Sequence, residues 1–304
     1  MTKKALLIGL NEYSGDISWL KGCVNDVVQV KGLLETHYGF SGDNIQTLTD
    51  SQATKAGILA GLDWLTTGSQ AGDVLVFHYS GHGSQVADNG DDEMDASDEI
   101  LIPYDHDWNN PLRDDDLKAA FDRISPGASL TVMMDCCHSG TGNRPAPAAD
   151  ADLATLPMSR SVDPPDEVRG AIELLEALRN LLGWRRKNRF KVVKTQENNV
   201  LLAACRDNQT SAGAYIANDY HGAFTWYLAE GAAGDRRPSH LPSVGRTYRQ
   251  WRAKLCAAAS VGMPARVVRP ASLRTDGVTG SLRRNRILHR RGRTDGPKPA
   301  RLDS

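Results

Sequence analysis

Asp73-Val74-Leu75-Val76-Phe77-His78-Tyr79, continuing into Ser80-Gly81-His82-Gly83, is the most diagnostic segment of the chain. A continuous apolar run bounded by turn residues reads as a strand buried on both faces, the kind found inside parallel sheets. Ser129–Met134 is a second such run, and it ends in Asp135-Cys136-Cys137-His138-Ser139-Gly140. Lys4–Leu10 and Val200-Leu201-Leu202-Ala203-Ala204 are two more, and Ile45–Leu48 is a shorter one. Helical spacing lies between them. Val27, Val30, Leu33 and Leu34 mark a helix over Asn25–Tyr38, with Gly39 as its stop. Thr54 is placed to cap a helix through Ile58, Leu59, Leu62 and Leu65, and Asp114–Ile124 reads as a helix with an acidic first turn. Strands spaced by helices of this length imply right-handed βαβ units. The expected class is α/β, with a mostly parallel central sheet flanked by helices.

Working outward, Arg144 to Pro165 holds Pro145, Pro147, Pro157, Pro164 and Pro165, which is linker chemistry. A helix is expected over Ala171–Leu182, followed by the basic run Arg185-Arg186-Lys187-Asn188-Arg189. Helices are also expected over Ala223–Glu230 and Thr247–Ala259. Four regions result: 1–144, carrying both loop motifs; a linker, 145–190; a second folded part, 191–260; and a tail, 261–304. Val261–Ser304 holds eleven Lys/Arg against three Asp/Glu, so a chain of net charge -1 is a basic tail on an acidic body. Such a tail suits nucleic acid, anionic lipid or the body itself, and equally a solvated disordered end.

Composition excludes collagen-like, mucin-like and wholly disordered chains, since 40% of the residues are hydrophobic and 24% charged. At 304 residues the core is large enough to need no disulfide or metal staple. Five irregularly spaced cysteines, Cys23, Cys136, Cys137, Cys205 and Cys256, argue for a reducing compartment. The apolar run Ala5–Leu10 is too short for a secretory signal, and nothing approaches the length of a membrane helix. A soluble, cytoplasmic protein is expected.

The two loop motifs carry chemistry. In an open parallel sheet, functional groups collect at the carboxyl ends of the strands, and His82 and Cys137 both follow strands directly. A cysteine facing a histidine is the minimal nucleophile–base pair: thiolate attacks a carbonyl, and imidazole protonates the leaving amine. The oxyanion then needs backbone N–H donors, for which Gly83 and Cys137 itself are the candidates. Cys136, Cys137 and His138 make a poor zinc site, because adjacent side chains diverge.

The ordered phrases Leu20-Lys21-Gly22-Cys23-Val24-Asn25-Asp26, His78–Gly83, Asp98-Glu99, Asp114–Leu117 and Asp135–Gly140 resemble the metacaspases, caspase-like cysteine peptidases. Ala204–Ala212 and His221-Gly222-Ala223-Phe224-Thr225 resemble that family's small subunit. The resemblance implies a caspase-like sandwich and a cysteine endopeptidase of the bacterial or type I-like kind, with Cys137 as nucleophile and His82 as base. It implies an acidic pocket for Arg or Lys at Asp26 and Asp135, with Cys23 and Ser80 beside them. Asp26 also reads as a helix cap.

It implies Ca²⁺ activation through Asp98, Asp114 and Asp115, with Arg144 standing where a further ligand is expected. The acidic density between His82 and Leu117 suits a hard cation and equally a solvated loop. No organic cofactor is expected. Protein or peptide substrates with Arg or Lys before the cut are the expected partners, with no nucleic acid and no membrane span, and a monomer is expected. An Arg-directed peptidase is its own nearest substrate. The candidate self-cleavage sites are Arg160 and Arg169, then Arg185 and Arg186. A catalytically silent scaffold, or a nucleic-acid- or membrane-binding protein using the basic tail, are the alternative readings.

Overall fold

The computed structural model describes residues 1–88, 97–138, 158–181, 199–204 and 212–233, all within one compact unit, Met1–Pro264. The expected helix Thr247–Ala259, the tail, Arg144, Arg185 and Arg186 lie outside the described residues.

Five strands form the central sheet: β1 (Lys3–Gly9), β2 (Ile45–Thr49), β3 (Val74–Ser80), β7 (Ser129–Asp135) and β9 (Val200–Ala203). Their order is β2-β1-β3-β7-β9 and every pairing is parallel. The expected parallel α/β sheet is what forms. Side-chain alternation gives the sheet two apolar faces. Ala5, Leu7, Val74, Val76 and Met133 point to one face, where α1 (Cys23–Tyr38) and α5 (Ala223–Ala233) pack together. Leu6, Ile8, Leu75, Phe77, Leu130 and Val132 point to the other, covered by α2 (Lys55–Thr66) and α3 (Asp114–Phe121). Thr54 caps α2, its hydroxyl accepting the Gly57 N–H at 3.0 Å. Gly9 sets how closely α1 approaches β1: a Cβ there would lie 2.5 Å from the Cys23 carbonyl oxygen.

Two small antiparallel sheets, unforeseen in the sequence, sit beside this core. One has the order β4-β5-β6, from β4 (Gly83–Ala87), β5 (Ser97–Leu101) and β6 (Leu112–Arg113). The other has the order β11-β10-β8, from β8 (Met158–Ser159), β10 (Ala212–Ile216) and β11 (Asp219–Gly222). The linker helix also differs from expectation. α4 runs Asp166–Leu181 and packs on β4, beginning five residues before the expected Ala171. Its start follows Pro164-Pro165, and Asp166 and Glu167 put negative charge in the first turn, where the helix dipole favours it. Among the described residues, no helix is long and apolar enough to cross a membrane.

Candidate active site

β3 and β7 are neighbours, with Ser80 opposite Asp135 in register. The loops that leave them therefore emerge side by side at the carboxyl edge of the sheet, bringing His82 and Cys137 to the same place. Glycine is required at the crossing: a Cβ on Gly83 would lie 2.5 Å from the Cys137 carbonyl oxygen.

His82 is clamped from several directions. Its N–H donates to the Tyr13 hydroxyl at 2.8 Å, and its carbonyl accepts from the Tyr79 hydroxyl at 2.7 Å and the Ile102 N–H at 3.1 Å. Ring Nε2 lies 2.8 Å from the Ser18 carbonyl oxygen. A carbonyl can only accept, so Nε2 carries the hydrogen and Nδ1 keeps its lone pair. Nδ1 is buried and makes no hydrogen bond. Burial lowers the pKa of the imidazole to about 4; the Ser18 carbonyl opposes that shift, and the Arg160 guanidinium adds to it. At neutral pH His82 is thus an uncharged base with one fixed tautomer. Ser18 acts through its backbone, which is why no side-chain motif announced it.

Arg160 occupies the space between the two loops. Its carbonyl oxygen accepts the Gly83 N–H at 3.0 Å and the Cys137 N–H at 3.1 Å. These are the two donors named from the sequence, and both point at one carbonyl. Met158–Ser159, just before it, lies antiparallel on β10, Ala212 facing Ser159 and Gly213 facing Met158.

The Arg160 side chain is fully buried. Its guanidinium reaches Asp26 Oδ2 at 2.9 Å, Asp135 Oδ1 at 3.2 Å, Ser80 Oγ at 2.7 Å and the Asp135 carbonyl at 3.1 Å. Neutral donors fix both carboxylates. Ser80 Oγ donates to Asp26 Oδ2 at 2.7 Å, and the Gly222 N–H donates to Asp26 Oδ1 at 2.8 Å. Thr225 gives Asp135 Oδ2 two bonds, from its N–H at 3.1 Å and its hydroxyl at 2.7 Å. A Cβ on Gly222 would collide with Asp135 Oδ2, Arg160 and Asp26 together, so the slot exists only because residue 222 is glycine. Cys23 lies at this floor as a neutral thiol, its pKa pushed up to about 12, mainly by burial. The structure thus gathers Cys23, Asp26, Ser80 and Asp135 into one slot. Asp26 sits inside the first turn of α1; the N-cap is Gly22, and the Cys23 N–H is capped by Asn11 Oδ1 at 2.9 Å. Gly222 and Thr225 belong to a stretch singled out in the sequence, but their service to the carboxylates was not foreseen.

Residues 3–143 match the family model described as "Metacaspase, peptidase C14 domain". The chain is 34% identical over 252 residues to Metacaspase-1 of Meyerozyma guilliermondii, covering 74% of this chain and 60% of that protein. It is 33% identical over 247 residues to Metacaspase-1 of Ajellomyces capsulatus, covering 74% of this chain and 69% of that protein. The chain belongs to the metacaspase family. It spans about 60% of the length of several such curated relatives. Among solved structures, protein GSU0716 from Geobacter sulfurreducens is similar in fold, with a TM-score of 0.55, 24% identity and coverage of 83% of this chain and 89% of that one.

In this metacaspase the acidic residues beyond β4 are arranged quite differently from the slot. Asp98 on β5 is ion-paired with Arg113. Burial pushes Asp98 up to about 6, with Arg113 opposing. Asp114, the first residue of α3, is pushed up to about 7 by burial, then by Asp115 and Asp98. Asp115 is exposed. Among the described residues, no group of three or more His, Cys, Asp or Glu side chains is arranged to hold a metal ion. Of the self-cleavage candidates, Arg160 lies across the two loops. Arg169 sits in the first turn of α4, paired with Asp166 at 3.1 Å and donating to the Pro164 carbonyl at 3.2 Å. A helical residue cannot lie extended in a cleft, so its placement in flexible linker is corrected: Arg169 belongs to a helix. Among the described residues Cys23, Cys136 and Cys137 form no disulfide.

Proposed function

We propose that this chain is a cysteine endopeptidase that cleaves after Arg or Lys, with Cys137 as nucleophile and His82 as base, and that its first substrate is its own Arg160–Ser161 bond. The observation that carries this is a single residue satisfying two demands at once. The Arg160 guanidinium lies between Asp26 and Asp135 while its carbonyl accepts from Gly83 and Cys137.

The chemistry follows from these placements. His82 Nδ1 takes the proton of the Cys137 thiol, and the thiolate attacks the Arg160 carbonyl carbon. The displaced electron pair moves onto the oxygen, where two N–H groups already point. The imidazolium returns the proton to the Ser161 nitrogen, the C–N bond breaks, and Arg160 remains as a thioester on Cys137. Water, deprotonated by His82, then releases the Arg160 carboxylate and restores the thiol.

The slot favours a cation on electrostatic grounds. Two carboxylates removed from water repel each other, and burial pushes Asp26 up while the guanidinium pulls it down. A planar guanidinium also reaches both carboxylates, Ser80 and a carbonyl together, which an ammonium does less completely. Arg is therefore the better substrate, Lys the second.

Ca²⁺ activation belongs to the same proposal. Carboxylates raised by burial and then by acidic neighbours suit a hard cation, and Asp98 and Asp114 would hold it once Arg113 releases Asp98. β5 pairs with β4 so that Val86 faces Asp98 and Gly83 faces Leu101, so the cation would steady the hairpin that carries one oxyanion donor.

The test is mass spectrometry of the full chain incubated with and without Ca²⁺. A fragment beginning at Ser161 is expected from wild type, none from Cys137→Ala, and an unchanged rate within about threefold from Cys136→Ala. A wild-type chain that stays whole and cuts no Arg peptide would leave the silent-scaffold reading in its place.

A further inference from the structure

β4 is paired on one edge only within its own sheet, where Ser84 faces Ile100 of β5. Its other edge takes the chain that follows Arg160. Ser161 forms a parallel bridge with Gly83, the Val162 N–H donates to the Gly83 carbonyl at 3.0 Å, and Ser84 Oγ donates to the Val162 carbonyl at 2.6 Å. Ser84 is itself buried. Asp163 and Pro164 come next, and Pro164 has no N–H with which to continue the ladder. The contact is therefore two residues long. It begins at the same Gly83 whose N–H points at the Arg160 carbonyl.

We propose that the edge of β4 away from β5 is a recognition site for the two residues after the scissile bond, with Ser84 as the positioning residue that holds the second of them by its carbonyl. The inference rests on reading the Arg160 segment as a bound substrate. The peptide changes partner at the cut: antiparallel on β10 before it, parallel on β4 after it. Adding a strand to an open edge gives affinity through main-chain bonds, and those bonds need an N–H at the second residue after the cut. Proline at that position cannot donate and is excluded. The edge also orients the leaving nitrogen, because Ser161 is fixed between the Arg160 carbonyl and the Val162 N–H.

The full-length enzyme can be assayed with a quenched fluorescent peptide, Met-Ser-Arg-Ser-Val-Asp, with the same peptide carrying N-methylvaline, and with the aminomethylcoumarin amide of Met-Ser-Arg. N-methylation removes one hydrogen bond and should lower kcat/KM about fivefold, mostly through KM. Ser84→Ala should lower the ratio of hexapeptide to coumarin kcat/KM by a similar factor, and Ser84→Thr should restore it. Equal cleavage of the methylated and parent peptides would overturn the inference while leaving the peptidase reading intact. So would a Ser84→Ala loss shared equally by hexapeptide and coumarin amide, since that marks a structural defect. If wild type cuts none of the three, the peptidase reading falls and the inference falls with it.

Discussion

Asp26 and Asp135 at the floor of the slot, and Asp98 and Asp114 beside β5 with the exposed Asp115 next to them, are two groups of like charges, the first wholly and the second partly drawn out of water. In the slot each carboxylate accepts from neutral donors that cannot move away, Gly222 N–H and Ser80 for one, Thr225 for the other. The remaining charge is then met by one guanidinium. Beside β5, Asp98 is paired with Arg113, and Asp114 is raised by burial and then by Asp115 and Asp98. Density of negative charge is therefore not what makes a cation site. Fixed neutral donors hold the slot carboxylates in place, whereas in the second group Arg113 meets Asp98 and burial leaves Asp114 raised.

The largest break in this contrast is Asp135→Asn. Removing one partner of a buried ion pair costs about 3–5 kcal/mol. Cleavage after Arg should fall on the order of a thousandfold, read as kcat/KM on Arg peptides, and the melting temperature of the intact chain should drop. In an Arg160→Gln background the thermal loss should shrink, because the buried guanidinium is gone. Preferred cleavage after Asp by the wild type would refute the acidic-slot reading.

A second effect is a pH dependence from beneath the slot. His78 lies under Thr225, its Nε2 3.4 Å from the Thr225 hydroxyl, and burial lowers its pKa to about 4. The unfolded chain binds this proton near pH 6.5 and the folded chain does not until about 4. This contribution to stability is whole above pH 6.5 and is lost as pH falls toward 4, by about 3 kcal/mol in all. Denaturant melts at pH 7 and 4.5 should show a shallower acid loss in His78→Gln than in wild type.

Thr225→Val sharpens the role of the neutral donors. The hydroxyl is lost while the Thr225 N–H remains on Asp135, so the cost is that of one bond to a charged group, about 1.5–3 kcal/mol. The expected readout is a raised KM for Arg peptides with kcat nearly kept, and a narrowed preference of Arg over Lys.

Much of the central sheet was legible in the sequence, and the physical reasons for the gaps differ. β1, β3 and β7 are apolar runs buried on both faces, which wrote them plainly, and β9 is a short apolar run at the sheet edge. β5 begins Ser97-Asp98-Glu99 and β4 begins with glycine; both form through pairing with distant partners, which no local pattern encodes. The α4 start was missed because two prolines read as linker, although Asp166 and Glu167 mark a helix N-terminus. That difference separates Arg160 from Arg169, two arginines alike in charge but one extended and one helical. The floor carboxylates were reached through resemblance. Thr225 and Gly222 were not given their roles, because a hydroxyl and a backbone N–H acquire them only once α5 brings Thr225 to Asp135 at the end of β7 and β11 brings Gly222 to Asp26 of α1.

The smallest effect tests the other side of the comparison, and its sign is opposite. Asp114 is raised from 3.8 to about 7, so near pH 6 the folded chain tends to keep a proton that the unfolded chain gives up. Stability from this group is whole below pH 3.8 and is lost as pH rises through about 7. Asp114→Asn removes that loss. The same substitution gives up the favourable placement of a negative charge at the N-terminus of α3, worth about 0.3–1 kcal/mol. Solvent screening of a half-buried group reduces the gain, so the net expectation at pH 8 is a variant more stable by about 1 kcal/mol. At pH 3.5 it should show no advantage. Added Ca²⁺ should reverse the order at pH 8, raising the melting temperature of wild type above that of Asp114→Asn, because only the wild type keeps the carboxylate that the cation would neutralise. A variant less stable than wild type at pH 8 without Ca²⁺ would show that Asp114 is already met by a counter-charge, and the contrast between the two acidic groups would close.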